Sequence, residues 1–342
     1  MITSPALTAL RFAGRAALDT VTTRWDSQVL GDNELPPELR TEERFLLIFL
    51  LPRLLKLQGA TLAHNCAMRW QYGQGPGREF KVIAVKGRKP IKYWTFKLSQ
   101  IGKSVTLMSA IDEVLLEAVK AIEELAAPTA AKSARWEKLF TLASQLAKDN
   151  KKPAWTKAVG DYRTQMDHPS YPILIRNVSD EDYIEHQEHP LQSDAFKAIG
   201  KCAIRAYLHG QLIKRDGSPD IKFKPERVGV RIWDDYDFVD GALSDWSSIK
   251  NLRAGESLGF LLTGRYSQPL GRWQQKGKDP YILQNADFAD YRNLFRPKYN
   301  EWLNKRSGNH KKDDGYLVCE DYSSVSEFKE FLIKTGAEYK LI

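Results

Sequence analysis

The segment from Cys202 to Trp233 constrains the fold more than any other part of the chain. A β-rich run from Cys202 to Ile213 meets the turn signal Asp216-Gly217-Ser218-Pro219 and resumes from Ile221 to Trp233. Gly and Pro between two β-rich runs mark a hairpin, because they supply the backbone angles that a turn needs. A lone hairpin is marginal in water, so this one requires further strands or a helix on its apolar side. The return strand runs straight into Asp234-Asp235-Tyr236-Asp237-Phe238, three carboxylates around one tyrosine. A strand that ends in clustered acids holds them on a rigid base. Such a cluster suits a divalent cation, or one carboxylate kept protonated beside an ionised neighbour. If the strand ends at Asp234, alternation puts Asp235 and Asp237 on one face and Asp234 and Tyr236 on the other, and a bend brings them to one site. The plainer alternative is an exposed acidic turn with Tyr236 and Phe238 packed inward.

The rest of the second half continues this mixed pattern. Leu258 to Gly264 and Tyr316 to Cys319 read as strands, and Asp194 to Ile199, Asp287 to Phe295 and Val325 to Thr335 as helical pieces. The first half reads mainly as helix. Glu42 to Trp70 has helical apolar spacing interrupted at Pro52, and Ser104 to Leu125 carries one apolar stripe over five or six turns. A further helix follows Ser133, with Trp136, Leu139, Phe140, Leu142, Ala143 and Leu146 on its inner side. Phe80 to Val85 pairs with Ile91 to Leu98 as a short hairpin. The polar run 148–153 predicts a boundary: a mostly helical domain over residues 1–150, then an α+β domain over 151–342 with an open antiparallel sheet.

Bulk properties narrow the function less. The net charge of +8 over 342 residues is a mild basic excess, suited to anionic partners without choosing among them. Three cysteines, Cys66, Cys202 and Cys319, are too few and too far apart for a disulfide framework or a zinc pattern, and are expected as buried thiols of a chain made in a reducing compartment. No secretory signal precedes Pro5, and the most apolar run, Phe45 to Leu51, is too short to span a membrane. If the protein acts outside its own cytoplasm, something other than a signal peptide is expected to export it.

Residues 200–238 resemble the catalytic region of the colicin M family, bacterial toxins that cleave the lipid-linked peptidoglycan precursor. The likeness rests on Gly200, Ile204-Arg205-Ala206, Gly210-Gln211-Leu212, Val228-Gly229-Val230-Arg231 and the Asp-x-Tyr-Asp motif at Asp234-Asp235-Tyr236-Asp237. It covers about forty residues. The family's His-Arg after the motif is replaced here by Phe238-Val239-Asp240-Gly241-Ala242-Leu243-Ser244. The second half is also similar to an uncharacterised bacterial group found near toxin-delivery genes, through the Asp-x-Tyr-Asp-Phe strand end and Asn285-Ala286-Asp287-Phe288-Ala289-Asp290-Tyr291-Arg292.

These resemblances imply an interbacterial toxin that hydrolyses the bond between a polyprenol and its pyrophosphate in the target-cell periplasm. They imply magnesium held by Asp234, Asp235 and Asp237, with Asp237 first in line to activate water and Tyr236 donating a hydrogen bond. The missing guanidinium would come from Arg265, with Arg272 and Arg292 as other candidates. An immunity protein or a secretion-system component is the expected protein partner. The alternatives are a non-catalytic binding protein on the same fold and a toxin directed at nucleic acid.

Other motifs carry less. His186 and His189, with His168 upstream, lack the His-Glu-x-x-His order, and Pro190 follows directly. Gly73-Gln74-Gly75-Pro76-Gly77 has no Gly-Lys-Ser/Thr ending and reads as a connector. The basic and aromatic run Lys86 to Trp94 has no accompanying nucleic-acid motif, which argues against that partner.

Overall fold

The computed structural model describes positions 45, 48, 49, 51, 52, 55 and 56 and the segments 59–73, 79–83, 90–127, 129–150, 152–159, 172–188, 193–236, 285–307 and 316–342. In chain order its main elements are α1 (Thr61–Tyr72), β1 (Lys81–Ile83), β2 (Ile91–Phe96), α2 (Val105–Glu123), α3 (Glu137–Asp149), β3 (Trp155–Val159) and β4 (Leu174–Val178). Then come α4 (Asp180–Glu185), α5 (Asp194–Ile199), β5 (Cys202–Lys214), β6 (Ile221–Tyr236), α6 (Asn285–Asp290), a π-helical turn (Tyr291–Phe295) and α7 (Arg296–Ser307). β7 (Tyr322–Ser326), β8 (Lys329–Leu332) and β9 (Tyr339–Lys340) complete the order. The fold is α+β, as expected.

The chain forms two units of interleaved segments. The first takes the described residues up to Phe80, Asp180–Lys201 and those from Asp235 to Ser323; the second takes those of Lys81–Ser179, Cys202–Asp234 and Ser324–Ile342. The polar run 148–153 lies inside the second unit.

Among the described residues the sheet has nine strands in the order β1-β2-β7-β6-β5-β3, with β4 also on β5, and β8 and β9 also on β6. Its spine is the expected hairpin. β5 and β6 pair antiparallel from Ala203↔Trp233 to Lys214↔Ile221, with a register shift at His209/Gly210. Gly217 turns the chain with φ +70°, and Ser218 N–H donates to the Arg215 carbonyl at 3.2 Å. The shift has a chemical reason. The apolar residues of β6 stand at odd positions before it (Ile221, Phe223) and at even positions after it (Val228, Val230, Ile232). Leaving Glu226 unpaired between Gly210↔Pro225 and His209↔Arg227 resets the alternation, so all five keep to one face. Pro225 has no N–H to offer a ladder, and a bulge is where a strand tolerates it. The Glu226 carbonyl instead accepts from Ile333 N–H at 2.8 Å, and its carboxylate lies 3.1 Å from His209 Nδ1.

The helix α2 covers that apolar face. Ser104 caps it, its hydroxyl accepting from Leu107 N–H at 3.2 Å. Leu107, Ala110, Ile111, Val114, Ala118, Ala121 and Ile122 form its buried stripe, close to the periodicity read from the sequence. The register identifies which side of the sheet it lies on. Arg176 stands opposite Ile204 and pairs with Glu113; Lys329 stands opposite Val230 and pairs with Asp112. Both partners are on α2, so the helix rests on the Ile204, Val230 and Ile232 side. A fully buried Leu or Ile contributes about 1.5–3 kcal/mol there.

The first unit has an aromatic core. Leu51 and Pro52 are both helical, and a turn at Gly59, φ +73°, precedes α1. The Asp194 carboxylate accepts from Leu62 N–H and Ala63 N–H, each at 3.0 Å, and so caps α1 from a distant segment. At the other end of α1, Val318 N–H and Cys319 N–H donate to the Gln71 carbonyl, and Glu320 N–H donates to that of Trp70. The expected strand Tyr316 to Cys319 is thus a helix-end clasp without a β ladder. Asn300 holds it from α7 by donating to the Leu317 carbonyl and accepting from its N–H. Tyr291 stacks on Phe295 at 4.7 Å and Phe295 on Tyr299 at 6.0 Å, with Phe45 and Phe49 against them.

The helix expected over Val325 to Thr335 is a further difference: the segment forms the end of β7 and then β8. Val325, Phe328, Phe331 and Leu332 have helical spacing, but the free edge of β6 offers hydrogen bonds that local propensity does not outweigh. All three cysteines are buried free thiols, as expected. Burial pushes the Cys319 thiol up to about 12, against the opposing pull of Arg296 and Arg292.

Two expectations follow. A Cβ on Gly210 would meet the Lys224 carbonyl oxygen at 2.3 Å and the Phe223 ring at 2.6 Å. Gly210→Ala should therefore cost about 1–3 kcal/mol in urea unfolding. Gly102→Ala, whose nearest neighbour would be at 3.6 Å, should unfold like the parent. Desolvation lowers Lys197 to about 8 from 10.5, opposed by Asp194. Through that window the unfolded chain binds the proton and the folded chain has lost it, so this site's contribution to stability rises with pH. Lys197→Met should raise the unfolding midpoint at pH 7, with the gain shrinking as the pH rises past 8.

Candidate functional site

β6 does not stop at Trp233 but runs on to Tyr236, so the first two acids of the motif are strand residues. Asp234 is buried, with 6% of its surface exposed, while Asp235 is exposed. Neighbours in an extended strand leave on opposite faces. Asp234 therefore leaves on the Ile232 side and Asp235 on the other. Within the first unit Asp235 is fixed by Ser323, whose hydroxyl donates to its Oδ1 at 2.5 Å. Tyr236 belongs to the strand, but its side chain, like Asp237 and Arg265, lies outside the described residues. So does Arg272.

Among the described residues no group of three or more His, Cys, Asp and Glu side chains is placed to hold a metal ion. Asp234 and Asp235, facing opposite ways, do not make a magnesium cage between them. His186 Nδ1 lies 2.8 Å from the Asp182 carbonyl, and its expected companions His168 and His189 are outside the described residues.

Arg292, one candidate for the missing guanidinium, is engaged in the first unit. It donates to both carboxylate oxygens of Asp321, at 3.0 and 2.5 Å, and sits 5.9 Å from the centre of the Trp70 ring. Its neighbours Phe288 and Tyr291 are buried. Burial holds the Tyr291 hydroxyl well above the ordinary tyrosine range, with Cys319 beside it adding to the effect. The Asn285 to Arg292 motif is thus an aromatic packing element ending in an ion pair.

The second unit holds a cluster of arginine and aromatic side chains on the β5–β6 hairpin. On the side of the sheet away from α2, Arg205 stands directly opposite Arg231, and Ala203 opposite Trp233. Both guanidiniums lie over the Trp233 ring, Arg205 at 4.5 Å and Arg231 at 5.2 Å. Arg231 also lies 4.6 Å from the Phe328 ring and 5.6 Å from that of Tyr207. Trp233 in turn stacks on Tyr93 at 6.4 Å. Arg231 is 2% exposed and Tyr207 fully buried, whereas Arg205 is half-buried. The planar guanidinium is weakly hydrated and stays charged, so aromatic faces are the one apolar setting that suits it. The signal was legible in principle: apolar residues fill one parity of β5 and β6, while arginine and aromatic residues alternate on the other.

The cluster separates a packing role from a cationic one. Trp233→Ala should cost about 3–5 kcal/mol in urea unfolding, because it empties the platform beneath both arginines. Arg205→Met keeps the apolar stem and removes a charge whose buried Nε and Nη1 make no hydrogen bond among the described residues. Its unfolding free energy should stay within about 1 kcal/mol of the parent, or rise. No protein-family model, curated protein or solved structure matches this chain.

Proposed function

We propose that the chain is an interbacterial toxin that hydrolyses the bond between a polyprenol and the pyrophosphate of a peptidoglycan precursor. The observation that carries the reading is the continuous β5–β6 hairpin, which delivers Asp234 buried at the end of a central strand and leads directly into Tyr236 and Asp237. A rigid strand end preorganises such groups, as acid–base catalysis requires. In the reaction water adds its hydroxyl to the phosphorus, the phosphorus–oxygen bond to the polyprenol breaks, and the polyprenol oxygen takes a proton. Asp237 would draw the proton from water, Tyr236 would donate to the leaving oxygen, and Asp234 would brace the strand end. Magnesium stays an expectation of the colicin M resemblance. Arg265 stays the candidate guanidinium beyond the hairpin. An immunity protein and a secretion-system component would be the partners of such a toxin.

A second reading has its own support. The motif lacks the His-Arg pair, as in a protein that binds the precursor without cleaving it.

The two are separated by expressing the full chain in the periplasm or in the cytoplasm of a sensitive bacterium. Hydrolysis predicts lysis from the periplasm alone, lost in Asp237→Ala at an unchanged soluble level. Killing from the cytoplasm, or periplasmic lysis that survives Asp237→Ala, contradicts it.

A further inference from the structure

We infer that the Arg205–Tyr207–Arg231 face of the β5–β6 hairpin is an anion subsite that takes the phosphate oxygens of a diphosphate ester. Arg205 and Arg231 are directly opposed across an antiparallel pair, and like charges so placed destabilise a sheet. Both guanidiniums converge on one indole ring rather than splaying outward. Within the second unit, the register brings the carboxylate of Glu330, opposite Gly229, to this face, and it is exposed at the edge strand β8.

The donors point to what completes it. Arg205 Nε and Nη1 are buried and have no hydrogen-bond partner among the described residues, and Arg205 forms no ion pair there. Two residues along the same face, the hydroxyl of the fully buried Tyr207 is likewise without a partner among them. Unmet buried donors are costly, and a phosphate group with several acceptor oxygens satisfies more than one at once. The guanidinium fork matches phosphate geometry in a way that an ammonium does not. Arg205, half-buried, is the side from which a ligand reaches the cluster. The choice of a diphosphate rests on the proposed hydrolysis; the anion subsite itself rests on the arginine pair and the tyrosine.

The probe is inorganic pyrophosphate, titrated calorimetrically at low salt into the full chain, with farnesyl pyrophosphate as a second arm. Saturable binding is expected, weakened about tenfold or more by Arg205→Gln and several-fold by Tyr207→Phe. Equal affinity for the two probes assigns the subsite to the phosphates alone; tighter farnesyl pyrophosphate adds a lipid contribution. No saturable binding of either probe, or binding unchanged in Arg205→Gln, overturns the inference. If Arg205→Gln fails to fold by near-ultraviolet circular dichroism, Tyr207→Phe decides, since it keeps the ring and loses only the hydroxyl; unchanged binding in it is then contradictory. Asp237→Ala keeps the two ideas apart. Pyrophosphate bound by a chain with no hydrolytic activity removes the proposed reaction and leaves the subsite, whereas hydrolysis indifferent to Arg205 and Tyr207 does the reverse.

Discussion

The bulge at Glu226 is the constraint on which the sheet depends. Without it, the odd apolar residues at the start of β6 and the even ones at its end would face opposite sides, and no single helix would cover both. One unpaired residue reconciles them. It lets Ile221, Phe223, Val228, Val230 and Ile232 share a face with Ile204, Ala206, Leu208 and Leu212 of β5. Gly210 is required opposite Pro225 because the backbone of Lys224 approaches too closely for any side chain. β3 and β4 then add to β5, and β8 and β9 to β6.

Fixing one face fixes the other. Once the apolar parity lies under α2, Arg205, Tyr207, Arg231 and Trp233 have nowhere to go but the opposite side. Two arginines are held there on one tryptophan, in a setting where aromatic rings supply part of what water would. A sheet has no structural need for two facing cations, and well-packed apolar residues hold such positions at least as firmly. On the proposed reading, the face serves chemistry as well as packing.

The hairpin, its turn, the apolar stripe of α2 and the three buried thiols were legible in the sequence, because each rests on local spacing or on a single residue type. What local spacing could not supply was partnership. Val325 to Thr335 has helical apolar spacing, yet it meets the open edge of β6 and becomes strand. Tyr316 to Cys319 was expected as a strand, yet it joins no ladder and serves the end carbonyls of α1 instead. The polar run 148–153 marks a change of composition, but composition does not say which segments return to a shared sheet, and the two units interleave. At the candidate site, the position of Asp234 at the end of β6 was readable. So was the alternation that sends Asp234 and Asp235 to opposite faces; the continuation of β6 to Tyr236 was not, because acids are poor strand formers.

The central claim is that the face of the hairpin away from α2 exists to receive an anion. A crystal structure of the full chain grown with inorganic pyrophosphate tests it most directly. The account predicts phosphate density within hydrogen-bond distance of Arg205 and the Tyr207 hydroxyl, lying beside the Trp233 ring. Pyrophosphate found only on surface lysines, with Arg205 and Tyr207 in contact with protein groups alone, would contradict it.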